Sequence, residues 1–98
     1  MKYSYVYILT NKYRTVFYTG MTANLSRRLQ EHKCGKGSDF CRRYNINILV
    51  YYELHINILD AILREKQIKK WNRDWKVEMI RKKNPGMMDL LEKWDINL

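Results

Sequence analysis

YSYVYILTNKYRTVFYTGM, residues 3–21, decides the fold. From Tyr3 to Leu9 the residues alternate, Val6 and Ile8 on one face and Tyr3, Tyr5 and Tyr7 on the other, and the β-branched and aromatic content makes a strand. Val16 to Met21 reads as a second strand, and Thr10 to Arg14 is the short polar connection of a hairpin. A turn between Lys12 and Tyr13 would set Tyr7 directly opposite Tyr18, with both rings on one face of the sheet.

Working outward, Asn24 or Thr22 can cap a helix that runs to about Lys33 and stops at Gly35 and Gly37. Leu25 and Leu29 mark its buried stripe. Arg28 and His32, four residues apart, share a face one step round, where a core meets a cleft. Gly35 to Arg43 reads as a polar loop, and Ile46 to Leu54 as a third strand, the most apolar and the best buried of the three. Asn57 or Asp60 starts a helix reaching about Trp71. Another spans about Arg73 to Lys83 and stops near Asn84-Pro85, since proline disfavours helix in the residue before it. A short helical tail is expected from Met88 to Trp94. The reading is an α/β (α+β) domain, a three-stranded antiparallel sheet flanked by helices. One domain covers residues 1–98, with a core over about 3–85 and the tail over about 86–98.

Ninety-eight residues suffice for one modest core, and the 46% hydrophobic share excludes a disordered chain. The most apolar run, Ile48 to Tyr52, is too short to cross a bilayer, and the first residues lack the apolar core of a signal peptide. The expectation is a cytoplasmic protein, away from membranes and monomeric by default. Net charge is +9 and unevenly spread: Arg27–Arg43 holds six basic and two acidic residues, and Arg64–Lys83 nine and three. Two basic segments framing one core point to a polyanion, and nucleic acid is the commonest such partner. His32-x-Cys34-x6-Cys41 lacks the paired spacing and fourth ligand of a zinc site, so two thiols are the better reading.

Glu65 is the oddest residue. On a helical wheel it falls among Ile58, Ala61, Ile62 and Ile68, where a carboxylate is costly unless paired or metal-bound. It either ligates a cation or forms a buried pair, with Arg28 the obvious partner. Arg28 offers fork geometry and a permanent charge for a phosphate, and His32 a proton acceptor. Tyr7 and Tyr18 also suit ordinary sheet positions. Trp71, Trp75 and Trp94 suit core packing at helical spacing better than base stacking.

Taken together, a strand with Tyr7, a second with Tyr18-x-Gly20, a helix with Arg28-x3-His32, then a strand and a helix with Glu65 resemble the GIY-YIG nuclease superfamily. Met21 to Leu29, Arg64 to Trp71 and Asn84-Pro85 are similar to its small stand-alone, UPF0213-like subgroup. Tyr5-Val6-Tyr7 stands where the family name has Gly-Ile-Tyr, so the tyrosine is kept and the glycine lost. The resemblance implies an endonuclease that hydrolyses DNA phosphodiesters, in repair or recombination, with one Mg2+ or Mn2+ on Glu65. It implies catalytic positions at Tyr7, Tyr18, Gly20, Arg28, His32, Glu65 and Asn84, with Asn72 a rival to Asn84. Candidate phosphate contacts are Arg27, Lys33, Lys36, Arg42, Arg43, Lys69 and Lys70. The alternative is a basic module that binds nucleic acid without cutting it.

Overall fold

Strand β1 (Ser4–Thr10) is the middle of a three-stranded antiparallel sheet, with β2 (Phe17–Thr22) on one side and β3 (Ile48–His55) on the other. Four helices accompany it: α1 (Leu25–Lys33), α2 (Asp39–Arg43), α3 (Ile58–Lys70) and α4 (Arg73–Lys83). The computed structural model describes residues 3–33 and 39–90.

The alternation in β1 divides two cores. Val6 and Ile8 pack with Ala61, Ile68 and Ile80 beneath α3 and α4, while Tyr7 and Leu9 pack with Leu25, Leu29 and Cys41 beneath α1 and α2. Val6 and Ile8 are fully buried, a burial that stabilises by about 1.5–3 kcal/mol for each such side chain. With layers on both faces and strands on both sides, β1 is the best-buried strand. This corrects the expectation for the third strand, whose higher apolar content does not offset its place at the sheet edge.

The hairpin register also differs from expectation. Arg14 N–H donates to Asn11 O at 3.0 Å, so the turn is centred where expected, but Arg14 then takes a left-handed backbone (φ 57). Asn11 Oδ1 accepts from the N–H groups of Thr15 (2.9 Å) and Val16 (3.2 Å), and pairing resumes only at Thr10–Phe17. Tyr7 therefore lies opposite Gly20, and Tyr18 opposite Leu9. A displacement by two residues keeps every side chain on its face, so both tyrosines remain on the α1 side. Arg14 also reaches across the molecule, donating through Nε and a terminal nitrogen to Met87 O at 3.2 and 3.1 Å.

On the other edge the β1–β3 register slips between Ile8 and Leu9, which face Tyr51 and Leu49. The extra residue, Val50, then joins Tyr51 in the core beneath α3. Asn24, Asn57 and Asn72 begin α1, α3 and α4, each side chain accepting from a first-turn N–H. The expected loop before β3 contains α2, whose Cys41 side chain is buried and holds this turn on the sheet. Met88 and Asp89 are not helical, Leu90 is, and residues 91–94 of the expected tail lie outside the described residues.

Candidate active site

Gly20 sets the geometry. A Cβ at this position would come within 2.5 Å of Tyr7 Cζ and Oη and 3.1 Å of Tyr18 Cε1. The Tyr7 phenol therefore lies across the edge strand at the one residue without a side chain. The Tyr7 and Tyr18 rings are 6.3 Å apart between centroids, and His32 packs edge-on to both, at 6.2 and 5.8 Å.

Arg28 and His32 come from α1, on the face beside the Leu25–Leu29 stripe. His32 is buried, and neither ring nitrogen has a hydrogen-bond partner among the described residues; the same holds for Arg28 Nε and for Thr19 Oγ1 on β2. The Tyr7 and His32 rings therefore meet by packing, with no direct hydrogen bond between them. Burial, reinforced by the Arg28 charge, lowers the His32 pKa and keeps the ring neutral. Burial pushes the Tyr7 phenol well above the tyrosine range, with Tyr18 adding to the shift and Arg28 opposing it. The Glu65 charge on α3 adds a smaller upward push.

Glu65 does not pair with Arg28. Arg28 lies 3.9 Å from Glu31, and Glu65 lies 3.5 Å from Lys69, each within its own helix. The face of α3 that meets the sheet is centred on Ala61 and Ile68, both fully buried, whereas Ile58 is 53% exposed. Glu65 thus flanks the apolar face, half-buried, and is not at its middle. The residue before it explains the rotation of the helix. Arg64 donates to both oxygens of Glu53 on β3, at 3.1 and 3.0 Å, and stacks over Trp71. Glu53 also accepts from the Tyr51 hydroxyl and bonds His55 Nε2 at 2.9 Å. Burial alone would raise the Glu53 pKa, but these hydrogen bonds, Arg64 foremost, bring it below the usual carboxylate range. Sequence reasoning missed this network; the alternation Tyr51-x-Glu53-x-His55 on one strand face was its only signal.

Asn84 is buried at the end of α4. Its amide donates to Val50 O (3.0 Å) and Met88 O (2.9 Å) and its oxygen accepts from Met88 N–H (3.1 Å), tying the end of α4 to β3. Its rival Asn72 is the exposed cap of α4. Of the basic residues, Arg27 is 3.7 Å from Glu31, Arg42 is bound to Asp39 at 2.6 Å, and Arg43 and Lys70 are exposed. Lys33 ends α1, and Lys36 lies outside the described residues, as do Cys34 and Trp94. Trp71 packs on the core as expected, but Trp75 is 57% exposed. Beyond Tyr18, the α2 turn adds two aromatic rings unremarked in the sequence, Phe40 and Tyr44, whose spacing of four was their signal.

A tyrosine-bearing hairpin, a helix presenting arginine and histidine, and a following strand and acidic helix define a GIY-YIG domain. The model of the GIY-YIG catalytic domain matches residues 3–78, and the chain belongs to this nuclease family. It is 40% identical over 89 residues to a UPF0213 protein of Syntrophus aciditrophicus, covering 90% of this chain and all of that one. It is also 40% identical to a UPF0213 protein of Clostridium perfringens, over 83% of this chain and 86% of the relative. The solution NMR structure of a UPF0213 protein from Bacillus halodurans superposes with a TM-score of 0.56 at 30% identity, covering 86% of this chain and 88% of that one. The family implies a nucleic acid substrate, and its nucleases generally use divalent metals. No helix among the described residues is long and apolar enough to cross a membrane.

Proposed function

We propose that this protein is a Mg2+- or Mn2+-dependent endonuclease acting on DNA, with Tyr7, Tyr18, Arg28, His32 and Glu65 as its working residues. The observation that carries the reading is the pair of buried, unpartnered polar groups on His32 and Arg28, set beside two tyrosines in a family of nucleases. Buried polar groups without partners are rare in native proteins and call for a ligand or a chemical role.

Glu65 fits a hard cation. It is a half-buried oxygen donor whose 3.5 Å contact with Lys69 is weak enough to be displaced. Among the described residues no three His, Cys, Asp or Glu side chains cluster, which suits Mg2+ or Mn2+ better than zinc. Magnesium takes one or two carboxylates and completes its shell with water and substrate phosphate. Bound there, the cation supplies Lewis-acid neutralisation of the phosphate and the departing 3′-oxygen.

The remaining steps belong to the chain itself. Arg28 holds the non-bridging oxygens and neutralises charge that builds on the phosphorus as water attacks. Tyr18 orients the phosphate. Tyr7 is held protonated by burial, which disfavours a standing phenolate, so it works as a relay. As its Oη takes a proton from the attacking water, its own proton would pass through one bridging water to neutral His32, whose ring packs edge-on against it without a direct hydrogen bond. Gly20 leaves the space in which the phenol is held.

The test is incubation with single-stranded, duplex and forked DNA in Mg2+, Mn2+ or EDTA. Cleavage is expected with either cation and is lost in EDTA and in Tyr7→Phe. Binding without cleavage under every condition would leave the non-cutting module as the correct reading.

A further inference from the structure

We infer that Phe40 and Tyr44 form a nucleobase-stacking subsite that extends the candidate active site and accepts an unpaired base of a single strand. The inference rests on the nuclease reading above and adds to it a position for the bases beside the scissile phosphate.

The rings form a series. Tyr7, only 2% exposed, is followed by Tyr18, then Phe40 at 6.4 Å from Tyr18 with planes inclined by 29°, then Tyr44 at 4.9 Å from Phe40. Phe40 and Tyr44 are one helical turn apart, and the Tyr44 N–H still donates to Phe40 O at 3.1 Å beyond the end of α2. Yet they are 44% and 46% exposed, so the series opens to solvent with ring area uncovered. Beside it lies a cleft of ≈ 730 Å³, lined by Asp39, Phe40, Arg42, Arg43 and Tyr44. A cleft of this size accommodates a nucleotide.

Charge complements the rings. Asp39 is neutralised by Arg42 at 2.6 Å, which leaves the exposed Arg43 as the phosphate contact of the cleft in a chain of net charge +9. Aromatic faces interleaved with arginine match single strands, whose bases offer their π-faces. A duplex keeps those faces stacked inside and presents only phosphates and groove edges.

The experiment uses the full chain in EDTA, so that nothing is cut, and fluorescence anisotropy with three probes of equal length: oligo(dT), the same strand with abasic positions, and a duplex. Wild type should bind oligo(dT) above the other two. Phe40→Ala/Tyr44→Ala should weaken oligo(dT) binding by roughly ten-fold or more. Its abasic and duplex binding should stay at wild-type levels, and its salt slope should be unchanged because no phosphate contact is lost. Phe40→Trp/Tyr44→Phe should restore the preference, which separates stacking from a folding defect. Equal binding of all three probes by wild type, or a double variant that keeps the preference, overturns the subsite and returns the rings to another partner such as a protein surface. Mg2+-dependent cleavage measured alongside keeps the two readings apart. A protein that cuts DNA without this ring dependence overturns the subsite alone, and one that stacks bases without cutting overturns the nuclease reading alone.

Discussion

On the α3 side of the sheet Glu53 receives Arg64, Tyr51 and His55, whereas on the α1 side the buried His32 has two ring nitrogens without a partner among the described residues. Both regions are polar clusters against an apolar core. In the first every charge is matched, and the cluster fixes a helix on a strand. In the second the donors and acceptors are held ready and unmatched by packing alone. Perturbed polar groups therefore do not by themselves mark a site in this molecule; the proposed site rests on the unmatched ones of α1.

Substitutions can break this contrast from either side. The largest loss of stability is expected for Glu53→Ala, which strands Arg64 and the Tyr51 hydroxyl. Breaking a fully buried pair costs about 3–5 kcal/mol, so this part-buried one should cost less than that, and each kcal/mol moves the Tm of a domain this size by about 4–8 °C, which a melting curve would show. Gly20→Ala comes next. Its Cβ would meet the Tyr7 ring, and overpacking of this kind costs about 1–3 kcal/mol. Cleavage should fall further than stability, because the displaced atoms are those of the proposed relay. A variant that melts early yet cuts at the wild-type rate would remove Tyr7 from the chemistry.

Glu65→Gln should change stability by at most about 0.5 kcal/mol, since its ion pair with Lys69 is partly exposed and lies along one helix. Cleavage should vanish while DNA binding persists. Wild-type cleavage by this variant would overturn Glu65 as the cation ligand. The smallest effect on stability belongs to His32→Phe. Replacing an unpartnered buried imidazole by an apolar ring should be neutral or slightly stabilising while slowing cleavage. A clear drop in Tm would mean that His32 has a structural partner.

Acid should sharpen the same contrast in two steps. His32 has a lowered pKa in the fold, so below the ordinary value of 6.5 the unfolded chain takes up a proton that the native protein resists. Its contribution is present above that pH and is lost as pH falls towards the folded value. Glu53, also lowered, contributes above 4.5, and that contribution is lost as pH falls through its folded value. Stability measured against pH should decline below 6.5 and again below 4.5, with the first decline absent in His32→Phe.

The three strands, α1, α3 and α4 were legible, with Asn24 and Asn57 among the expected starts, because hydrophobic period and capping are local signals; the Asn72 start of α4 went unread. The pairing of Tyr7 with Gly20 was not, since Arg14 takes a left-handed conformation that its residue type does not announce. The order of the strands in the sheet also escaped composition, so the most apolar strand was wrongly expected to be the best buried. Glu65 was singled out as a carboxylate on a helix wheel, but the wheel could not tell which arc meets the sheet. That is set by Arg64 reaching Glu53, a contact between residues eleven apart on different elements.

The hold of Arg14 on Met87 O joins residues 73 apart in the chain, and β1, made first, pairs with a strand that begins at Ile48. During synthesis the hairpin that carries Tyr7, Tyr18 and Gly20 is thus complete while one edge of β1 is still open. Such an edge is a template for wrong pairing until β3 emerges to cover it. The tether from the hairpin turn closes only when Met87, beyond α4, has left the ribosome, so the proposed site acquires its fixed shape well after the segments that carry most of its residues have emerged.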